Sequence, residues 1–187
     1  MFRLILFFLI FLFLFSCQNT KDDNKISDLN IGKFDKQSSI KINKIWIKDE
    51  IFKIDQYCYR QGWEMLNTES GLRYKIINST NSSIMPVSGS NLVISYDIRL
   101  MDSKQTKCYH SDSTGYAKFK VDQSMIESGI HEVVTYLHKN DSALVILPHH
   151  IAHGITGDSK LIPPLSTVLY YIKIIDIQSV SYTHLRA

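Results

Sequence analysis

The sequence predicts an α+β domain in which an antiparallel β-sheet wraps around one central helix, preceded by an N-terminal helix. Three observations carry this. Strand-like runs rich in Val, Ile, Leu and Tyr outnumber helical ones. One segment, Met125–Leu137, sets Met125, Ile126, Ile130, Val133, Val134 and Leu137 on a single apolar stripe at helical spacing. The strand–helix–strand alternation that builds parallel sheets is missing.

The chain opens on a segment outside this fold. Arg3 precedes an unbroken apolar run, Leu4–Phe15. At ~1.5 Å per residue that run reaches roughly 18 Å, short of the ~30 Å hydrocarbon core of a bilayer. Residues 1–16 therefore read as an export signal rather than a span. Leu14-Phe15-Ser16-Cys17 resembles a bacterial lipobox, which makes Cys17 the lipid-attachment residue. Its acyl chains would anchor the protein to a membrane without crossing it. The expected location is the cell envelope, as an outer-membrane lipoprotein facing either the periplasm or the surface.

Residues 17–44 are polar, with Lys21-Asp22-Asp23-Asn24 near their start and few aromatics. That is the composition of a flexible linker. With Cys17 lipidated, Cys58 and Cys108 remain. An oxidising compartment permits a disulfide between them, and two separate small apolar residues are the alternative; spacing does not choose. Of 21 basic residues Arg3 lies in the signal and Arg186 in the tail, leaving 19 against 18 acidic ones. No Lys/Arg stripe interleaves with aromatics, so nucleic-acid binding is unsupported and no nucleic-acid partner is expected.

The helical lead-in occupies residues 45–70. Asp49–Leu66 places Ile51, Ile54, Cys58 and Trp63 on one side, with Asp49 as N-cap and Gly62 weakening the last turn. The folded domain follows over 71–178. Leu72–Asn78 reads as a strand, and Ser79–Ser90, with Pro86 and Gly89, as a loop. In Leu92–Met101 the residues Leu92, Ile94, Tyr96, Ile98 and Leu100 alternate with smaller or polar neighbours, the pattern of a half-buried strand. Lys104–His110 is placed to pair back on it, and Ala117–Val121 is a short strand. After the central helix, Asn140-Asp141 turns the chain into Leu144–Leu147. A loop punctuated by Pro148, Gly154, Gly157, Pro163 and Pro164 then leads to a last strand, Thr167–Ile177. Residues 179–187 have no apolar period and are read as a non-core tail.

The order of residues near the C-terminus carries a resemblance. Leu144–Pro148, Ala152-His153-Gly154, Thr156-Gly157, Leu161-Ile162-Pro163-Pro164 and Thr167–Ile177 follow one another as in the FK506-binding-protein (FKBP) family of peptidyl-prolyl cis–trans isomerases. Arg60-Gln61-Gly62-Trp63 and Ser70-Gly71-Leu72-Arg73-Tyr74 are similar to FKBP-type lipoproteins of Bacteroidota, including those associated with gliding motility. The resemblance implies an FKBP-like sheet around a helix, isomerase activity on proline-containing polypeptide clients, and no cofactor.

Carried over residue by residue, the resemblance implies an apolar slot. Tyr96 matches the pocket tyrosine, Ile126 an aliphatic residue whose backbone N–H binds ligand, Leu161 and Ile162 the pair before the double proline, and Tyr170 an aromatic of the last strand. His153 stands where the family usually has a Tyr, Ile130 where it often has a Trp, and Cys108-Tyr109 where many members carry Phe-Asp. Ala117 replaces a Phe, and Phe119 matches the next inward position. These departures imply weakened catalysis, or binding alone, as the alternative.

His149, His150 and His153 raise a metal reading, because imidazoles four residues apart can share a helical face. No Glu stands between them, no other Cys/His/Asp set has ligand spacing, and Pro148 argues for a loop. No metal site is expected from spacing. No phosphate loop, serine elbow or paired-carboxylate motif is present.

Overall fold

The computed structural model describes residues 36–178. The expected export signal, Cys17, the expected linker up to residue 35 and the expected tail at 179–187 lie outside them. The chain divides into two compact units, Met1–Ile40 and Lys41–Ala187; the sheet, the cavity and both hydrophobic clusters belong to the second.

The first helix, α1, runs Lys36–Gln61. It begins well before the expected Asp49, so the expected linker 17–44 overlaps its first turns. The physical reason is plain in the sequence: from Lys36 to Gln61 there is no Gly or Pro to stop a helix. Asp49 is not an N-cap but a mid-helix residue paired with Lys53 one turn on, at 2.6 Å. The helix also ends earlier than Leu66. Gly62 takes φ +66°, its N–H bonds Tyr59 O at 3.1 Å, and the Trp63 N–H reaches back to Cys58 O at 2.9 Å. This glycine-terminated cap satisfies the last carbonyls and turns the chain away.

Seven strands follow, all paired antiparallel: β1 Leu66–Asn67, β2 Arg73–Asn78, β3 Asn91–Leu100, β4 Lys107–His110, β5 Ala117–Lys120, β6 Ser142–Leu147 and β7 Val168–Gln178. Their order is β1-β2-β6-β7-β3-β4, with β5 also pairing β3. Thus β3 pairs β7 along its whole length, while its other edge is shared by β5 at Asn91–Ile94 and by β4 at Asp97–Arg99. The two-residue β1 and a one-turn helix α2, Ser111–Thr114, have no counterpart in the sequence reading.

Strand parity assigns the two faces. Ala143, Val145 and Leu147 of β6, with Val168, Tyr170, Ile172 and Ile174 of β7, point into the main core. There they meet the central helix α3, Ser128–Val134, through Ile130, Val133 and Val134. The opposite parity, Ile146 of β6 and Leu169 of β7, packs on Ile54, Tyr57 and Cys58 of α1. Residues 143–147 of β6 are therefore buried on both faces, which explains their continuous apolar run.

The central helix is shorter than Met125–Leu137. Lys120 O accepts the N–H groups of Gln123 and Ser124, and Asp122 sits at φ +61°. That tight turn occupies residues a helix would need, and it leaves Met125 exposed rather than on the apolar stripe. Cys58 and Cys108 are free thiols in different clusters; Cys58 packs against the Met65 sulfur at 3.6 Å.

Candidate active site

A cavity of about 420 Å³ opens between the inner face of β3, the start of α3 and the long loop after β6. Its walls are apolar: Ile94, Ile98 and Tyr96 of β3, Ala117 and Phe119 of β5, Ile130 of α3 and Tyr170 of β7. Ile94, Ile130 and Tyr170 are buried to within 3% of full cover, so this surface is built by the core itself.

Of the residues expected from sequence, Tyr96, Tyr109, Ile126, Ile130, His153 and Tyr170 line this cavity together. Leu161 and Ile162 stand apart from it. Leu161 is half exposed, whereas Ile162 is buried in the core with its N–H bonded to Asp158 Oδ1 at 2.8 Å. Their role is to fix the loop. Ile126 lines the cavity, but its N–H already bonds Ser124 O at 3.0 Å and is not free for a ligand.

Three charged residues that the sequence reading missed complete the site: Glu127, Asp158 and Lys160. Glu127 directly precedes α3 as its N-cap. Its Oε1 accepts the Tyr170 hydroxyl at 2.8 Å and lies 3.0 Å from His153 Nε2. The histidine contact is off line for a hydrogen bond, so the Nε2–H has no aligned acceptor among the described residues. It is an ion pair with a donor left over.

Asp158 restores a carboxylate to the site from another part of the chain than the Cys108-Tyr109 position. The Tyr109 hydroxyl donates to Asp158 Oδ2, while Oδ1 accepts the N–H groups of Lys160 and Ile162, both at 2.8 Å. The tie holds the 158–162 loop against β4. Gly157 makes the approach feasible: it takes φ +66°, and a Cβ there would lie 2.2 Å from Ile162 O. Tyr96 bonds Thr114 Oγ1 at 2.6 Å. Since Thr114 gives its own proton to His110 O at 2.9 Å, Tyr96 is the donor.

The electrostatics follow from these contacts. The Glu127 carboxylate holds the His153 imidazole above its ordinary 6.5, against burial, with Asp158 adding to the effect. Burial opposes charge on Glu127, but His153, its own backbone N–H and the Tyr170 hydroxyl outweigh it and lower its pKa. Asp158 is likewise penalised by burial, yet the Tyr109 hydroxyl, the Ile162 and Lys160 N–H groups and His153 bring it down to about 2. Tyr170, buried and facing Glu127, is raised well above 10 and stays protonated. The His153 ring on the cavity wall therefore keeps its proton to higher pH than a free imidazole, beside an aromatic and aliphatic slot.

The site is thus an apolar-walled cavity between an antiparallel sheet, one short helix and the loop after β6. A family description for FKBP-type peptidyl-prolyl cis–trans isomerase matches residues 82–175, half of the chain. The chain belongs to this FKBP-type family. Solved structures agree on the fold. FkpA from Escherichia coli matches with a TM-score of 0.59 at 22% identity, over 75% of this chain and 64% of that one. The chain therefore spans less than two thirds of the FkpA structure. The N-terminal domain of FKBP42 from Arabidopsis thaliana matches with a TM-score of 0.56 at 20% identity, over 62% of this chain and 93% of that domain.

Proposed function

We propose that this protein is a peptidyl-prolyl cis–trans isomerase that acts on proline-containing segments of exported or envelope proteins. The observation that carries the reading is the cavity: an apolar slot walled by Ile94, Phe119, Ile130 and Tyr170, with the His153 ring in its lining. Rotation about a prolyl bond needs no nucleophile, metal or cofactor. Its barrier of ~18–20 kcal/mol comes from amide resonance lost at the twisted geometry, and each ~1.4 kcal/mol removed speeds it tenfold.

A water-excluding slot favours the twisted amide, whose charge separation has diminished, over the planar one. The proline ring sits against Ile130 and Tyr170, and His153 donates to a carbonyl flanking the proline. Tyr96, held by Thr114, shapes the wall. Attachment through Cys17 and a place in the cell envelope, in the manner of the Bacteroidota lipoproteins associated with gliding motility, complete the proposal. Among the described residues no helix is long and apolar enough to cross a membrane, so an anchor at Cys17 would be the membrane link.

A protease-coupled assay on X-Pro peptides tests the activity. The protein should accelerate cis-to-trans conversion, and Tyr96→Ala should lower kcat/KM tenfold or more. Folded protein that leaves the solvent rate unchanged would retire the enzymatic reading. A second reading, a non-catalytic peptide-binding module of an envelope or motility complex, is favoured by one observation: the Ile126 N–H, expected to hold ligand, is engaged by Ser124 O. That reading requires saturable binding of the same peptides without acceleration.

A further inference from the structure

We propose that Glu50, His149 and His150 form a site for a divalent transition ion of the Zn(II) type, joining α1 to the 3-10 turn His149–Ile151 that follows β6. One ligand atom from each of the three lies within 4.8 Å of the others. Two imidazoles and a carboxylate are a donor set that suits Zn(II) with one position left for water. Glu50 and His149 are buried, while His150 is exposed and leaves an entry path. None of the three lines the cavity, and the site stands whether or not the chain is an isomerase.

The surrounding hydrogen bonds prepare the ligands. Glu50 Oε1 accepts the His149 N–H at 2.7 Å and the Thr167 hydroxyl at 2.6 Å, which fixes that oxygen and leaves Oε2 to ligate. The Ser70 carbonyl can only accept, so His150 Nε2, 2.9 Å away, carries the proton. That bond sets the tautomer and leaves a lone pair on Nδ1, the arrangement by which an outer-shell carbonyl orients a ligating histidine.

His149 Nδ1 faces Glu50 Oε2 at 2.5 Å with a proton between them. The ion takes the place of that proton, which leaves to solvent, and no redox change is involved. Ligand bonds near 2.1 Å at tetrahedral angles put the two atoms about 3.4 Å apart, so they part by about 0.9 Å. A plain histidine–carboxylate pair accounts for Glu50 and His149 but gives no part to the orientation of His150. Spacing along the chain conceals the site because Glu50 lies 99 residues from His149, and because His153, the spaced partner in sequence, faces the cavity instead.

The test uses the untagged full chain in detergent micelles, titrated calorimetrically with Zn(II) and, in parallel, with Co(II) followed by visible absorption. One ion per chain is expected, with the intense Co(II) bands of four- or five-coordination. His150→Asn, at an exposed position that leaves the fold intact, should weaken binding at least tenfold. Glu50→Gln should do the same, and His153→Asn should leave metal affinity unchanged. Wild-type protein without saturable binding, undiminished binding in His150→Asn, or loss of binding in His153→Asn would each overturn the assignment.

Discussion

His153 Nε2 stands 3.0 Å from Glu127 Oε1, and the same oxygen accepts the Tyr170 hydroxyl. One carboxylate at the start of α3 thus ties the loop after β6 to the last strand, directly at the cavity. His153 is raised above 6.5 and Glu127 lowered below 4.5. The histidine's contribution to stability is complete below pH 6.5 and is lost as pH rises through its raised folded value. The glutamate's is present above 4.5 and lost as pH falls through its lowered one. Between those limits the pair is charged. Peptide affinity should be full below pH 6.5 and fall as pH rises through the raised His153 value, where the imidazolium is lost. Glu127→Gln should lower the His153 pKa, read from its ring-proton NMR shift, and move the alkaline limb with it. An unmoved limb would mean that His153 does not touch the peptide.

Removing the carboxylate altogether has a larger structural cost. Glu127→Ala leaves the partly buried His153 imidazole without its ion-pair partner and the Tyr170 hydroxyl without its acceptor. The expected destabilisation is roughly 2–4 kcal/mol. Urea denaturation checks it, and Tyr170→Phe in the same background should add little, because its partner is already gone.

Asp158 orders its loop by accepting from Tyr109, Lys160 and Ile162. Its pKa of about 2 is depressed from 3.8, so its contribution is present above pH 3.8 and fades as pH falls through about 2. Asp158→Asn keeps one acceptor oxygen and should leave the sheet intact. The Lys160 and Ile162 amides should then exchange with solvent about tenfold faster, while those of α3 do not change.

Most of the fold was legible from periodicity, because period-2 strands such as Leu92, Ile94 and Ile98 keep one face in the core whatever the connections. The ends of α1 and α3 were not. Among the described residues the buried positions of α1, Glu50, Ile54, Tyr57 and Cys58, all fall in its second half, so no apolar stripe marks where the helix begins. The turn at Asp122 relies on a left-handed residue other than glycine. In the site, apolar wall residues were readable because ordered motifs carry them. Glu127 and Asp158 were not, since their partners, His153 and Tyr109, lie 26 and 49 residues away and pairing across such gaps leaves no local pattern.

The α1 contact gives a stability prediction. Ile54 is completely buried against Ile146 and Leu169. Ile54→Ala should cost roughly 2–5 kcal/mol if α1 is an integral layer, and the unfolding transition should remain single. A second, earlier transition would show instead that the helix docks independently of the sheet.

Two glycines of the same loop separate backbone strain from crowding. Gly154 and Gly157 take φ of +67° and +66°, so alanine at either meets the same left-handed penalty of about 1–2 kcal/mol. Around Gly154 an added Cβ meets nothing within 4 Å. At Gly157 it meets Ile162 O at 2.2 Å and the Pro163 carbonyl carbon at 2.7 Å. Backbone atoms cannot rotate aside as a side-chain end would. The loop must therefore open, and with it the Asp158 tie and the rim of the cavity. Gly154→Ala should stay near the penalty above, whereas Gly157→Ala should reach roughly 3–5 kcal/mol as overpacking adds to strain. Thermal denaturation of the two variants side by side measures the difference, and peptide titration should show affinity lost in Gly157→Ala alone. Equal losses in both would mean that the approach of Gly157 to Ile162 does not shape the site.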